Sequence, residues 1–229
     1  MAGDGNPVLL LHGFTTSADR TWREPGWIDL LTEAGRDVIA PDLLGHGSAD
    51  KPHDPAAYDQ VEALILAELP DDRPVDGIGY SAGARILLTL ASQYPDRFGR
   101  LVVGGVGATL FKERTTNPIL DALQGRADPD DRVAGHFAAM AGDDGNDPEA
   151  LAAFLQRSSP PLGVDELARV THQTLVVIGS EDFAGPGDPL ADALPDAELV
   201  TLPGVDHFGL PKAFPFLERG LDHLGAAPF

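Results

Sequence analysis

Val75-Asp76-Gly77-Ile78-Gly79-Tyr80-Ser81-Ala82-Gly83-Ala84-Arg85-Ile86-Leu87-Leu88-Thr89-Leu90-Ala91 is the stretch on which the reading of the chain turns. A short run of β character ends at Gly79, a serine stands between two glycines in the spacing G-x-S-x-G, and an apolar-periodic segment without proline follows. The pattern predicts strand, sharp turn, helix. A serine on so tight a turn tends toward positive φ, and the residues two away must lack bulk for strand and helix to approach. Ser81 is then expected to project its hydroxyl above the sheet, with the Ala82 amide at the positive end of a helix. Glycine supplies 26 of 229 residues, so the pattern alone also fits a glycine-rich turn, and the rest of the chain must decide.

The length suits one α/β domain with a small insertion, and 43% hydrophobic residues are enough for a sizeable core. There are no cysteines, which excludes disulfide staples and thiolate chemistry. Residues before Pro7 lack a basic region and lead into a short apolar run, and no stretch has the roughly 18 apolar residues of a membrane span. The expectation is a cytoplasmic protein with no membrane partner. Acidic residues number 36 against 16 basic ones, for a net charge of −20, and only Lys51, Lys112 and Lys212 are lysines. Such a surface repels phosphate backbones, so nucleic acid is not an expected partner. It reads either as a solvated acidic coat or as adaptation to high salt.

Outward from the central stretch, strands and helices alternate. Pro7-Val8-Leu9-Leu10-Leu11-His12-Gly13-Phe14 is a buried-strand pattern followed by a polar loop that reaches Trp22 and Trp27. A helix is expected over 27–34, closed by Gly35. A second strand covers 37–41, a glycine-punctuated loop Asp42-Leu43-Leu44-Gly45-His46-Gly47-Ser48 follows, and a helix over 58–69 stops at Pro70. After the central helix, Leu101-Val102-Val103 begins another strand. The block 109–165 offers no strand but short helical pieces at 119–124, 132–140 and 148–156, which reads as a helical insertion over the sheet. The sheet resumes at 173–178 and 198–202, and a closing helix is expected over 212–224. The fold class is thus α/β, a mostly parallel sheet of about six strands, with residues 1–108 and 166–229 as core and 109–165 as a cap.

Loops after strands of an open α/β sheet share one edge, where ligands bind. Ser81, Asp182 and His207 each follow a predicted strand and are therefore expected to meet. A serine hydroxyl is a poor nucleophile until a base takes its proton; imidazole does so near neutral pH, and a carboxylate fixes its tautomer. Glu181 and Asp206 are alternative acids, the first set to point away and the second badly placed for the ring of its neighbour. No histidine and carboxylate set has metal-ligand spacing, so neither metal nor cofactor is expected.

With those pieces in place, the chain resembles the α/β-hydrolase fold superfamily. The matching pieces are Leu11-His12-Gly13-Phe14 with Trp22 downstream, Asp42 to Ser48, Gly79-Tyr80-Ser81-Ala82-Gly83, Gly179-Ser180-Glu181-Asp182 and Gly204-Val205-Asp206-His207-Phe208, in order over nearly the whole length. The resemblance implies Ser81 as nucleophile, His207 as general base and then acid, Asp182 as its orienting partner, and the backbone amides of Phe14 and Ala82 as oxyanion hole. It implies that His12 orders the oxyanion loop, and it leaves His46 a structural loop histidine. His53, His136, His172 and His223 match no motif. The chain departs from the usual pattern in lacking two initial strands, in carrying Ala84 after the elbow and in the small size of its cap.

A serine nucleophile argues against the dehalogenases and epoxide hydrolases of the superfamily, which use aspartate there. The expected reaction is hydrolysis of a small-molecule carboxylic ester of a small to medium apolar acyl group. Phe14, Leu44, Tyr80, Phe111, Phe183 and Phe208 are candidate pocket walls. Two alternatives stay open. One is a C–C bond hydrolase or a pyruvate-eliminating lyase of the menaquinone-pathway type, whose elbow Gly79 to Arg85 resembles; a dicarboxylate would call on the cap arginines Arg114, Arg126, Arg132 and Arg157. The other is a hydrolase-like binding protein with little turnover.

Overall fold

The chain is described by a computed structural model, in which residues 5–112, 116–143, 145–159 and 162–227 are described. Six strands, β1 (Val8–Leu11), β2 (Val38–Ile39), β3 (Val75–Tyr80), β4 (Phe98–Gly104), β5 (Thr174–Gly179) and β6 (Ala197–Leu202), form one sheet in the order β2-β1-β3-β4-β5-β6. Every neighbouring pair is parallel, in register for example at Leu9 with Gly77 and at Val103 with Val176. Parallel neighbours require crossovers, and helices supply them.

Side chains alternate across each strand, so the sheet carries two cores. Leu9 and Leu11 of β1 pack with α2 (Val61–Ala67) and α3 (Ala82–Gln93) on one face. Val8 and Leu10 pack on the other, with α1 (Trp27–Glu33) and the closing helix (Phe214–His223). β1, β3 and β5 are buried on both faces, which is why they are mostly apolar or glycine, with Asp76 of β3 and Thr174 of β5 the exceptions, whereas the edge strand β6 is half exposed. α1 ends where Gly35 takes φ +78.

Between β4 and β5 lie α4 (Pro118–Leu123), α5 (Arg132–Ala141), α6 (Pro148–Gln156) and α7 (Val164–Leu167); α8 (Asp188–Ala193) and α9 (Phe214–His223) follow. Local chemistry starts the first three of these helices. Asn117 accepts from the Leu120 amide at 3.2 Å, Asp131 from Ala134 at 2.9 Å, and Asp147 from Glu149 at 3.0 Å with Pro148 at the first position. No strand interrupts this block among the described residues.

Several boundaries differ from the sequence reading. β4 begins at Phe98 rather than Leu101, and β2 is two residues long. Pro55 to Gln60 wind as a 3-10 segment and shorten α2; the tryptophan loop contains a π-helical turn, Asp19–Arg23. At the amino end of the sheet, Arg36 and Asp76 form a buried ion pair. Arg36 also donates to the carbonyls of Asn6 at 2.6 Å and Leu224 at 2.9 Å, while Asp76 accepts from the Arg100 amide at 2.8 Å. No helix among the described residues is long and apolar enough to cross a membrane.

Candidate active site

Ser81 stands between β3 and α3 with φ +53 and ψ −112, a left-handed conformation uncommon outside glycine. Its amide donates to the Gly104 carbonyl at 2.8 Å. The flanking glycines are required by contact: a Cβ on Gly79 would lie 2.6 Å from Ala84 Cα, and one on Gly83 would lie 2.2 Å from the Leu11 carbonyl oxygen. The turn therefore lets α3 press against β1 and β3, and the hydroxyl is left at the carboxyl edge of the sheet.

Two other loops reach the same edge. Ser81 Oγ lies 2.9 Å from His207 Nε2, and His207 Nδ1 lies 2.9 and 3.0 Å from the two carboxylate oxygens of Asp182. A carboxylate only accepts, so Nδ1 carries the proton and Nε2 is free to accept from the serine. Asp182 Oδ1 also takes the Ala184 amide at 2.8 Å. The rejected acids are accounted for by geometry: Glu181 is exposed, and Asp206, also exposed, is engaged by the Gly209 amide at 2.7 Å. Tyr80 seats the histidine loop by donating to the His207 carbonyl at 2.7 Å. Burial, with the nearby Asp182 and Asp206 charges, pushes its phenol well above the ordinary range and keeps it a donor.

The loop after β1 is held from below. His12 is fully buried; its Nε2 accepts from the Leu43 amide at 2.9 Å, so Nδ1 donates to the Gly13 carbonyl at 2.8 Å. Burial lowers its pKa to about 4, only partly offset by the Gly13 carbonyl and Asp42. His46 is buried beside it at 5.4 Å between ring centres, and burial, then the neighbouring His12, lowers its pKa to about 3. Both imidazoles are neutral struts. Asp42 ties the loops together by accepting from Ala18 at 2.8 Å and Ser48 at 2.7 Å; burial opposes its ionisation, but these bonds outweigh it and hold the carboxyl below its usual range. Ala82 opens α3, where an amide has no partner within the helix.

Two cavities of about 400 and 390 Å³ meet at Phe14, Ser81, Phe137 and His207. Tyr80, Met140 and Phe208 line the first, and Ala82, Phe154 and Phe183 the second. Leu44 and Phe111, expected as walls, line neither. Leu44 faces a separate hollow beside α2, and Phe111 closes a 3-10 turn that rotates it about 120° from Leu110, which does line the second cavity. Sequence reading missed Phe137 and Met140: the helical period marked 132–140, but which face looks at Ser81 depends on how α5 docks. Arg157 lines the second cavity, stacked 4.0 Å over Phe154, whereas Arg126 pairs with Asp121 at the surface, Arg132 is exposed and Arg114 lies outside the described residues. Arg20, Arg85, Lys112, Arg157 and Lys212 line the two cavities against one acidic side chain, Glu24, among the described residues. Two of these are paired outside the cavities, Arg20 with Asp143 at 3.1 Å and Arg157 with Glu62 at 3.7 Å.

A parallel six-stranded sheet with a serine elbow facing a histidine and an aspartate at its carboxyl edge is the architecture of an α/β hydrolase. The profile described as the alpha/beta hydrolase fold matches residues 6–131, more than half of the sequence, and the chain belongs to that family. Among curated proteins it is similar to a 2-hydroxy-6-oxo-6-phenylhexa-2,4-dienoate hydrolase of Burkholderia cepacia, 27% identical over 247 residues that cover 90% of this chain and 83% of the relative. It is also similar to a haloalkane dehalogenase of Psychrobacter cryohalolentis, 37% identical over 112 residues, which cover 44% of this chain and 34% of the dehalogenase. The chain spans about a third of the length of the first curated relatives it matches. In fold it is similar to a hydrolase from Pseudomonas aeruginosa PA01, with a TM-score of 0.73 at 24% identity, covering 97% of this chain and 92% of that one.

Proposed function

We propose that the chain is a serine hydrolase of carboxylic esters with small to medium apolar acyl groups, in which Ser81, His207 and Asp182 act as catalytic triad. The observation that carries this is the continuous hydrogen-bonded line from the Ser81 hydroxyl through His207 to Asp182. Ser81 Oγ attacks the ester carbonyl while its proton passes to His207 Nε2, and the buried Asp182 carboxylate steadies the imidazolium. The amides of Phe14 and Ala82 donate to the oxyanion, a contribution of about 3 kcal/mol for one such donor. Collapse expels the alcohol, which takes the proton from His207 and leaves an acyl-enzyme; a water deprotonated by the same nitrogen then releases the acid. The described residues of 109–165, with α4, α5 and α6, form the cap over this site, and the apolar walls Phe137, Phe183 and Phe208 favour an apolar acyl group.

A second reading, cleavage of a C–C bond beside a ketone in a substrate bearing a carboxylate, is favoured by the likeness to the dienoate hydrolase of Burkholderia cepacia, with Lys112 in the lining of the second cavity as a cation for the carboxylate. A p-nitrophenyl ester series with a fluorophosphonate probe separates the possibilities. Turnover together with stoichiometric labelling of Ser81 supports the esterase, labelling without ester turnover favours the second reading or a binding role, and absence of labelling removes the serine mechanism. Ser81→Ala should abolish turnover without unfolding the chain; more than about 1% residual activity contradicts the nucleophile assignment.

A further inference from the structure

We propose that Asn146 is a positioning residue, whose side-chain amide, by holding the Thr15 carbonyl, sets the loop that presents the Phe14 amide to the reacting oxygen. The inference rests on the hydrolase reading above. Asn146 lies in the turn between α5 and α6, and its Nδ2 donates both to Thr15 O at 3.1 Å and to Met140 O at 2.8 Å. One amide group thus joins the end of α5 to a loop 131 residues earlier in the chain.

What it holds is a backbone that would not stay in place unaided. Thr15 is fully buried and takes φ +61, a left-handed conformation that a β-branched side chain rarely adopts. Such a residue persists only where its surroundings over-determine it. Its own hydroxyl is spent on the preceding carbonyl, Phe14 O, at 2.7 Å, so the following carbonyl depends on Asn146. The Phe14 ring is gripped by the same two helices, 5.9 Å from Phe137 of α5 and 5.7 Å from Phe154 of α6. Peptide units are rigid planes: the one that carries the Phe14 N–H is held through the Gly13 carbonyl by His12 at 2.8 Å, and the next two are held through Phe14 O and Thr15 O, so the backbone is pinned on both sides of Phe14 and Asn146 closes the last of these holds. An oxyanion donor acts only within hydrogen-bond reach of the anionic oxygen, and a shift of about 1 Å removes most of its effect. In this arrangement the helices over the site complete its electrostatics as well as its walls.

The test uses Asn146→Asp, which keeps the shape but cannot donate to either carbonyl, and Asn146→Ala. Asn146 is half-buried in a surface turn, and both variants are assayed below their own melting temperatures. The readouts are kcat and KM for p-nitrophenyl butyrate and the inhibition constant of an alkyl trifluoromethyl ketone. That ketone adds Ser81 Oγ to its carbonyl, passes the hydroxyl proton to His207 and leaves an anionic oxygen where the substrate's would form. Both variants should lose about tenfold in kcat with KM within about twofold, and the ketone should bind about tenfold more weakly. A bond that merely fastens the turn would lower the melting temperature and leave kcat and the ketone constant within about twofold of wild type, which overturns the inference, as does a change confined to KM. A wild-type chain inert to both ester and ketone would remove the hydrolase reading and this inference with it, whereas an active wild type with unaffected variants removes this inference alone.

Discussion

Ser81 holds φ +53 because both neighbours two residues away are glycines in contact with backbone. Gly83→Ala would drive a methyl group to 2.2 Å from the Leu11 carbonyl oxygen, where no flexible side chain can yield. It should destabilise the fold by about 2 kcal/mol or more, seen as a lower urea midpoint; an unchanged midpoint would show that α3 can shift away from β1. His12 and His46 carry a second residue-scale prediction. Both are buried and neutral, with pKa values lowered to about 4 and about 3, while unfolded imidazoles titrate near ~6.5. Below that value the unfolded chain binds protons that the native one refuses, so their stabilisation is present above about pH 6.5 and is lost as pH falls toward the folded values. The loss is up to about 1.4 kcal/mol per pH unit for each ring. Urea unfolding at pH 7.5 and 5.0 should show it, and His46→Gln should flatten the slope; equal stability at both pH values would argue against neutral buried rings.

Elements were legible where a local signal was strong. The helical pieces marked at 119–124, 132–140 and 148–156 are α4, α5 and α6, whose caps Asn117, Asp131 and Asp147 only the structure identifies, and Gly35 closes α1 as expected. The four-residue α7 was not legible, because it is too short for a helical period to emerge from composition, and α8 was not marked either. Nor was the junction at the amino ends of the strands, where Arg36 and Asp76 pair in the interior. Asp76→Ala leaves the Arg36 guanidinium buried without its counter-charge and should cost about 3–5 kcal/mol. Ser81 sits at the other end of β3, so fluorophosphonate labelling per folded molecule should be unchanged. Stability close to wild type would mean that water reaches Arg36.

At the scale of the whole molecule, a net charge of −20 repels itself. Ions shorten the reach of that repulsion from about 10 Å at 0.1 M salt to about 3 Å at 1 M. The melting temperature should therefore rise between 0.1 M and 1 M sodium chloride; a flat response would leave the acidic coat as solvation only and remove the reading of salt adaptation. By itself the sequence determined the alternation of strand and helix, the serine turn and the three loops that had to share one edge. Those follow from steric and hydrophobic patterns within a few residues, together with the rule that parallel strands end on the same side. Tertiary structure alone decided which walls face the serine, that Leu44 and Phe111 do not, and that Asn146 holds the Thr15 carbonyl. The walls and the Asn146 bond depend on how α5 and α6 settle over the sheet, Asn146 through a contact 131 residues apart in the chain, whereas Leu44 turns to the hollow beside α2 and Phe111 follows its 3-10 turn; no hydrophobic period encodes any of these.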